Sequence, residues 1–189
     1  MSQVNLTNTT DSLEELHDIV DMNDRVIGRA SRREFLTNKK IMRRSAHIWL
    51  RNTDGKFWLQ QRSATKDLQP NCWSYAVGGF VGAGASTKEE ILEEAKRELS
   101  EELSIDTEIT LFKILPMPDL SIGGIMVYWY IGQTDGPFVP NKVEISDFDA
   151  FDLQEVWALH QQNKINLVET FVRELSYYIE HPHCFDKLL

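Results

Sequence analysis

Between Lys88 and Leu103 the apolar residues Ile91, Leu92, Ala95, Leu99 and Leu103 recur at three- and four-residue spacing. At about 100° per residue this gathers them on one arc of a helix. A helix with such an arc must lay it on another layer, so the rest of the chain has to supply one. The acids of the same segment do not all avoid the arc. With Glu98 set at zero, Glu102 falls at about 40°, between Ile91 and Ala95, and Glu94 and Glu101 flank the edge at about 320° and 300°. A carboxylate inside an apolar arc costs several kcal/mol unless it is paired. The spacing therefore predicts a ridge of converging carboxylates with something positive beside Glu102. Ser86 or Thr87 opens the helix, since each has a glutamate three residues on and can form a capping box.

The facing layer is legible upstream and downstream. Residues 46–52, the turn Thr53-Asp54-Gly55 and residues 56–62 alternate as a strand, a turn and a second strand. Residues 73–77 form a third strand that runs directly into Gly78-Gly79 and a glycine-rich loop. Residues 108–115 and 125–131 give two more strands, the latter apolar throughout and so buried on both faces. Before these, residues 17–28 read as a hairpin and 31–36 as a helix capped by Ser31. Asp18, Asp21 and Asp24 are expected at turns and on the surface. Two helices, residues 153–162 and 167–179, close the chain. Strands interrupted by one long helix and finished by helices predict an α+β sandwich on a mixed sheet. Residues 1 to about 13 read as a loose tail, and residues 14–189 as a single domain with its core at about 44–175.

The 20 basic and 29 acidic residues leave a net charge of −9, which argues against gripping a nucleic-acid backbone. A phosphorylated substrate would then need a bound cation to offset repulsion. The two cysteines, Cys72 and Cys184, have neither zinc-site spacing nor disulfide-scaffold density. With no apolar run approaching a membrane span, the expected location is the cytoplasm, with no membrane partner.

Lys88, Lys96 and Arg97 alternate with the acids, as on an ordinary solvated face. The glycines before the helix tip the reading the other way, because they let a ligand approach the backbone beside the same carboxylates. Clustered oxygen ligands without histidine or cysteine favour Mg²⁺, with Mn²⁺ as the alternative. Glu98, Glu101 and Glu102 are the candidate metal ligands, and Gly78 and Gly79 the candidate substrate-binding positions. Among the strand aromatics Trp49, Trp58, Tyr75, Tyr128 and Trp129, core packing is favoured over stacking on a base.

Glu89, followed after seven residues by Arg97-Glu98-Leu99-Ser100-Glu101-Glu102, resembles the Nudix box, G-x5-E-x7-R-E-U-x-E-E-x-G-U. Residues 46–50, Leu59-Gln60-Gln61-Arg62-Ser63, Lys66, Pro70, Trp73 and Val77-Gly78-Gly79 resemble the branch of the Nudix (MutT-type) superfamily related to isopentenyl diphosphate isomerase. The likeness extends from about Glu15 to about Leu159, including residues 135–138 and Glu144. It implies an α/β/α sandwich and Mg²⁺-dependent hydrolysis of a diphosphate linkage in a nucleoside diphosphate derivative or similar organic diphosphate. By that resemblance Glu98 and Glu102 hold metal with Glu101 assisting, Arg97 positions a carboxylate, and the base is Glu101, Glu102 or the remote Glu144.

The sequence departs from the box at Ala83, where its first glycine is counted, and at Ser104, where its last glycine stands. An added helical turn near 86–89 would restore the alignment, leaving Ala85 in place of a loop glutamate and turning Glu89 away from Glu98. Two other readings stay open. Isomerase activity would need several histidine metal ligands and a cysteine in the loop after the tryptophan strand, where this chain has Ala76-Val77-Gly78-Gly79-Phe80. A non-catalytic nucleotide-binding module would tolerate Ala85 but has no need of Glu98, Glu101 and Glu102 together. The oligomeric state is open, a homodimer among the states allowed.

Overall fold

A computed structural model describes residues 9–189 of the chain. The strands are β1 (Leu16–Val20), β2 (Val26–Ser31), β3 (Met42–Arg51), β4 (Phe57–Arg62), β5 (Trp73–Tyr75), β6 (Val77–Phe80), β7 (Ile109–Met117), β8 (Gly124–Gln133) and β9 (Ile145–Phe151). The helices are α1 (Arg32–Thr37), α2 (Lys88–Leu103), α3 (Leu153–Gln161) and α4 (Glu169–Glu180). Strands β1 and β2 form the N-terminal hairpin, and the other strands form one sheet ordered β5-β4-β3-β8-β7, with β6 also on β3 and β9 also on β4.

Alternation along β3 decides what lies on each face. Ile48 and Leu50 pack with Ile91, Ala95, Leu99 and Leu103 of α2, while Trp49 packs with Phe171 and Leu175 of α4. Strand β8 lies parallel to β3, with Ile48 opposite Tyr130 and Trp49 opposite Ile131, and it repeats the division. Tyr128 and Tyr130 face α2, while Val127, Trp129 and Ile131 face α3 and α4. The result is the expected mixed-sheet sandwich. Fully buried Leu99 anchors α2; its replacement by alanine would cost about 2–5 kcal/mol.

Helix α2 begins where the capping signal places it. Thr87 accepts from the Glu90 amide at 3.2 Å and its own amide donates to Glu90 Oε2 at 2.9 Å. The helix stops at Ser104, which takes a left-handed conformation, φ 55°, although it is not the glycine that tolerates that geometry best.

One feature of the sheet positions the site. Residues Ser45–Ile48 of β3 pair with β6, whereas Leu50 and Arg51 pair with β4. Since β8 holds the other edge of β3, strands β4 and β6 share one edge and must part, opening a cleft between them.

The structure corrects several expectations. The strand expected over 73–77 is two strands, because the buried Ala76 carries the chain from pairing with β4 to pairing with β3. Strand β9 was not expected. Its Asp147 and Asp149 are exposed, poor strand formers, but its backbone pairs with β4. Glu144 therefore immediately precedes a strand, instead of lying in a loop after the last one. Asp21 and Asp24 lie in the turn between β1 and β2, as expected, but Asp18 is buried. Asp18 accepts from Arg29 Nε and the Gly84 amide at 2.8 and 2.9 Å, pinning the hairpin to the loop before α2. Asp24 accepts from Arg44 Nε at 2.7 Å and from the Tyr128 hydroxyl. Of the expected tail, residues 1–8 lie outside the described residues, and residues 9–13 are fixed through Asp11, as set out below.

Candidate functional site

The cleft between β4 and β6 holds a cavity of about 220 Å³. The glycines of β6 form one wall, and each is required by a close approach. A Cβ on Gly79 would lie 2.6 Å from Cδ and 2.8 Å from Oε1 of Glu98, and one on Gly78 would lie 2.2 Å from Cε2 of Tyr75. The backbone of β6 thus lies directly against a carboxylate of α2. Glu98, Glu101 and Glu102 of α2 all reach the cavity, as do Glu144 from the turn before β9 and Gly78 and Gly79 themselves.

Glu102 is buried among the apolar residues of its helix, as its place in the arc requires. Its hydrogen-bond partner is not the expected cation. Gln60 Nε2, from β4, donates to Glu102 Oε2 at 3.0 Å, and the nearby ammonium of Lys66 is engaged elsewhere. Burial first, and then the Glu98 charge, push the Glu102 carboxyl up to about 8. Glu98 is pushed upward in the same way by burial, against the pull of Arg97. Negative charge in this wall is therefore undercompensated.

Arg97 lies outside the cavity lining and spans the acids of the ridge. Its guanidinium is 2.6 Å from Glu98 Oε1, 2.6 Å from Glu101 Oε2 and 3.0 Å from Glu94 Oε2. Each pair is partly exposed and worth at most about 1 kcal/mol, so the effect of the arrangement is orientational. Glu89 is exposed in the first turn of α2 and is not among the residues lining the cavity.

A second charged group closes the cavity opposite α2. Lys66 Nζ lies 2.6 Å from Glu144 Oε2 and 2.5 Å from Asp11 Oδ1. Arg32 from α1 meets Asp67 through two bonds, 2.7 and 3.0 Å, and Asp11 at 3.0 Å. These side chains are largely buried, where removal of one partner costs more than the pair itself contributes. Asp11 and Arg32 carry no local motif and were not anticipated. Asp11 follows a polar run that looks like tail, and Arg32 stands in a short helix with nothing nearby in sequence to pair with.

Other anticipated side chains divide by role. Trp49, Tyr128 and Trp129 are core residues, and Tyr75 is buried but lines the cavity. Trp58 stacks on Phe148 at 5.5 Å, outside the cavity lining. His47 lines the cavity, but its Nδ1 bonds buried Glu174, which also accepts from Trp49 Nε1 at 2.8 Å. Cys72 and Cys184 are free thiols and neither is among the lining residues.

The donor set at α2 suits a hard divalent cation. Carboxylate oxygens share one cavity, and burial pushes two of the carboxyls, Glu98 and Glu102, upward. The set is not pre-assembled, since Glu98 and Glu101 face Arg97. Among the described residues no three carboxylate, histidine or cysteine side chains are drawn together as closely as a metal needs. Among these residues, too, no helix is long and apolar enough to cross a membrane.

Comparison with known proteins gives a consistent picture. The NUDIX domain family model matches residues 42–173. An uncharacterised Nudix hydrolase of Clostridium acetobutylicum is 30% identical over 177 residues, covering 89% of this chain and 75% of the relative. An uncharacterised Nudix hydrolase of Streptomyces coelicolor is 40% identical over 88 residues, 47% of this chain, and the matched stretch spans only 48% of that relative's length. A crystal structure of a Deinococcus radiodurans protein superposes with a TM-score of 0.73 at 23% identity, covering 86% of this chain and 98% of that one.

Proposed function

This chain belongs to the Nudix family, and from that premise we propose that it hydrolyses a diphosphate linkage in a nucleoside diphosphate derivative or similar organic diphosphate. The observation that carries the reading is Glu102: a buried carboxylate with a neutral hydrogen-bond partner, beside Glu98 and under the glycine wall of a cavity. Such a group is costly to keep unless a cation uses it.

In this reading Glu98, Glu101 and Glu102 hold Mg²⁺, or Mn²⁺ in its place. A bound ion would supply charge neutralisation at the phosphate oxygens and a lowered pKa for water. The residues of the chain do the rest. Gln60 fixes the Glu102 carboxylate, Arg97 aligns Glu98 and Glu101, and the backbone of Gly78 and Gly79 lets the diphosphate approach that wall. The proton of the attacking water passes to one of Glu101, Glu102 and Glu144. Glu101 and Glu102 stand on the ridge itself, whereas Glu144 Oε2 already accepts from Lys66. Isomerase chemistry is disfavoured, since no cysteine is among the residues lining the cavity.

A second reading, a nucleotide-binding module without turnover, draws on the engagement of Glu98 and Glu101 by Arg97. The discriminating experiment is phosphate release from a panel of nucleotide sugars, dinucleotides, nucleoside triphosphates and coenzyme A, each with Mg²⁺ and with EDTA. Mg²⁺-dependent turnover of at least one member is expected. Binding of several members with turnover of none would favour the module.

A further inference from the structure

Asp11 is a carboxylate at the cavity that draws positive groups from two other segments of the fold. Its Oδ1 accepts from Lys66 Nζ at 2.5 Å and is ion-paired with Arg32 Nη2 at 3.0 Å, and its Oδ2 accepts from the Asp67 backbone amide at 3.0 Å. Thr9 Oγ1, two residues away, donates to Oδ2 as well, at 3.0 Å. Two cations and a backbone N–H converging on one pair of oxygens are what an anionic phosphoryl oxygen requires. The charges of Arg32 and Lys66 hold the Asp11 carboxyl well below the usual carboxylate range despite its burial, so it occupies this position as an anion.

The donors do not depend on Asp11 for their placement. Arg32 is fixed by its two bonds to Asp67, and Lys66 is held by Glu144. The segment that delivers Asp11, residues 9–12, contains no helix or strand. It joins the fold where the carbonyls of Leu13 and Glu15 accept from the amides of Arg33 and Arg32. Asp11, Arg32 and Lys66 all line the cavity that carries Glu98, Glu101 and Glu102.

We propose that residues 9–12 form a self-inhibitory strap: Asp11 occupies a phosphoryl-binding subsite built by Arg32, Lys66 and the Asp67 amide, and must leave for a phosphoryl group of the substrate to enter. The proposal rests on this cavity being the diphosphate site. The strap lowers apparent affinity by the fraction of molecules in which it is closed. Arg32 and Asp67 offset each other, so displacing Asp11 exchanges one anionic oxygen pair for another.

The test is calorimetric binding of inorganic diphosphate to the full chain in EDTA, so that its outcome does not depend on turnover. Asp11→Ala should bind diphosphate about tenfold more tightly than wild type, a change of about 1.4 kcal/mol. Asp11→Asn keeps the size and removes the charge, and should show a smaller gain in the same direction, which preserves the test if the alanine variant does not fold. Adding Lys66→Gln to either variant should return the affinity to the wild-type value. Folded Asp11 variants that bind no more tightly than wild type would overturn the strap, as would a gain that survives Lys66→Gln. Turnover with Mg²⁺ but no such gain would sink only the strap. The gain without turnover on any substrate would sink only the hydrolase reading.

Discussion

Gln60 Nε2 donates to Glu102 Oε2 across 3.0 Å, so the acid buried within the apolar face of α2 meets an amide where a cation would be expected. That pairing fixes the carboxylate without neutralising it, and the predictions below follow from its consequences and from those of the packing around it.

The first concerns pH. The Glu102 carboxyl lies at about 8 in the folded chain against an ordinary 4.5, and Glu98 is shifted in the same direction. A raised carboxyl favours folding fully below about pH 4.5, and that contribution is lost as pH rises through about 8. Asp11, shifted downward, works the other way and weakens the fold as pH falls below the ordinary carboxylate range. Buried His17, pushed down to about 4 by desolvation, opposes this below about pH 6.5, so urea unfolding in EDTA should show stability decreasing from about pH 6.5 to pH 9, by about 2 kcal/mol. In Glu102→Gln most of that slope should vanish. A flat profile in the wild type would show that Glu102 is ionised without cost.

Glycine substitutions separate architecture from chemistry. Gly78→Ala places a methyl against the Tyr75 ring, and Gly79→Ala places one against the Glu98 carboxylate. The first should destabilise the fold by about 1–3 kcal/mol, because the buried ring has nowhere to go. The second displaces a part-exposed side chain, so it should change the melting temperature little while lowering kcat about tenfold or more. Equal effects of the two on stability and on kcat would contradict this division.

Arg97→Gln removes contacts to Glu94, Glu98 and Glu101 that are partly exposed. Stability should change by no more than about 1 kcal/mol. Turnover should fall by more than that loss of stability explains, because two acids of the ridge lose their alignment. Denaturant midpoints measured beside kcat decide the point: a variant of wild-type activity would leave Arg97 with only a surface role.

Ser104→Gly should be a stabilising change. Ser104 holds φ 55° at the end of α2, a conformation that costs a residue with a side chain about 1 kcal/mol. Glycine relieves it at a residue that does not line the cavity, and a gain of about 0.5–1 kcal/mol with little change in kcat is expected from thermal unfolding and steady-state assays. A loss of stability would mean that the serine side chain contributes more than the backbone strain costs.

How much of this was legible in the sequence differs by the range of the interaction. Periodicity placed Ile91, Ala95 and Leu99 on one arc and Glu102 within it, since both facts are local to a helix. The alternation of β3 and the unbroken apolar run of β8 indicated the sheet, and the capping glutamate after Thr87 the start of α2. Strand β9 was hidden because its ladder with β4 is made by backbone while its side chains read as polar. The Gln60 contact joins residues 42 apart, and the Lys66 bond to Asp11 spans 55. Neither has a signal in local spacing: the expected positive group, Lys66, is near enough to act on Glu102, but it bonds other acids and the hydrogen bond to Glu102 comes from a neutral amide. Ser104 was legible as a poor cap, and the helix nonetheless turns there in the left-handed conformation.

The central claim, that the α2 carboxylates serve metal-dependent diphosphate hydrolysis, is tested most directly by Glu102→Gln assayed on whichever panel substrate the wild type turns over with Mg²⁺. The variant keeps the shape of the side chain and removes the buried charge. The expected variant is at least as stable as wild type at pH 8 in EDTA, with kcat lowered by about 100-fold or more. Wild-type turnover in a folded Glu102→Gln variant would contradict it.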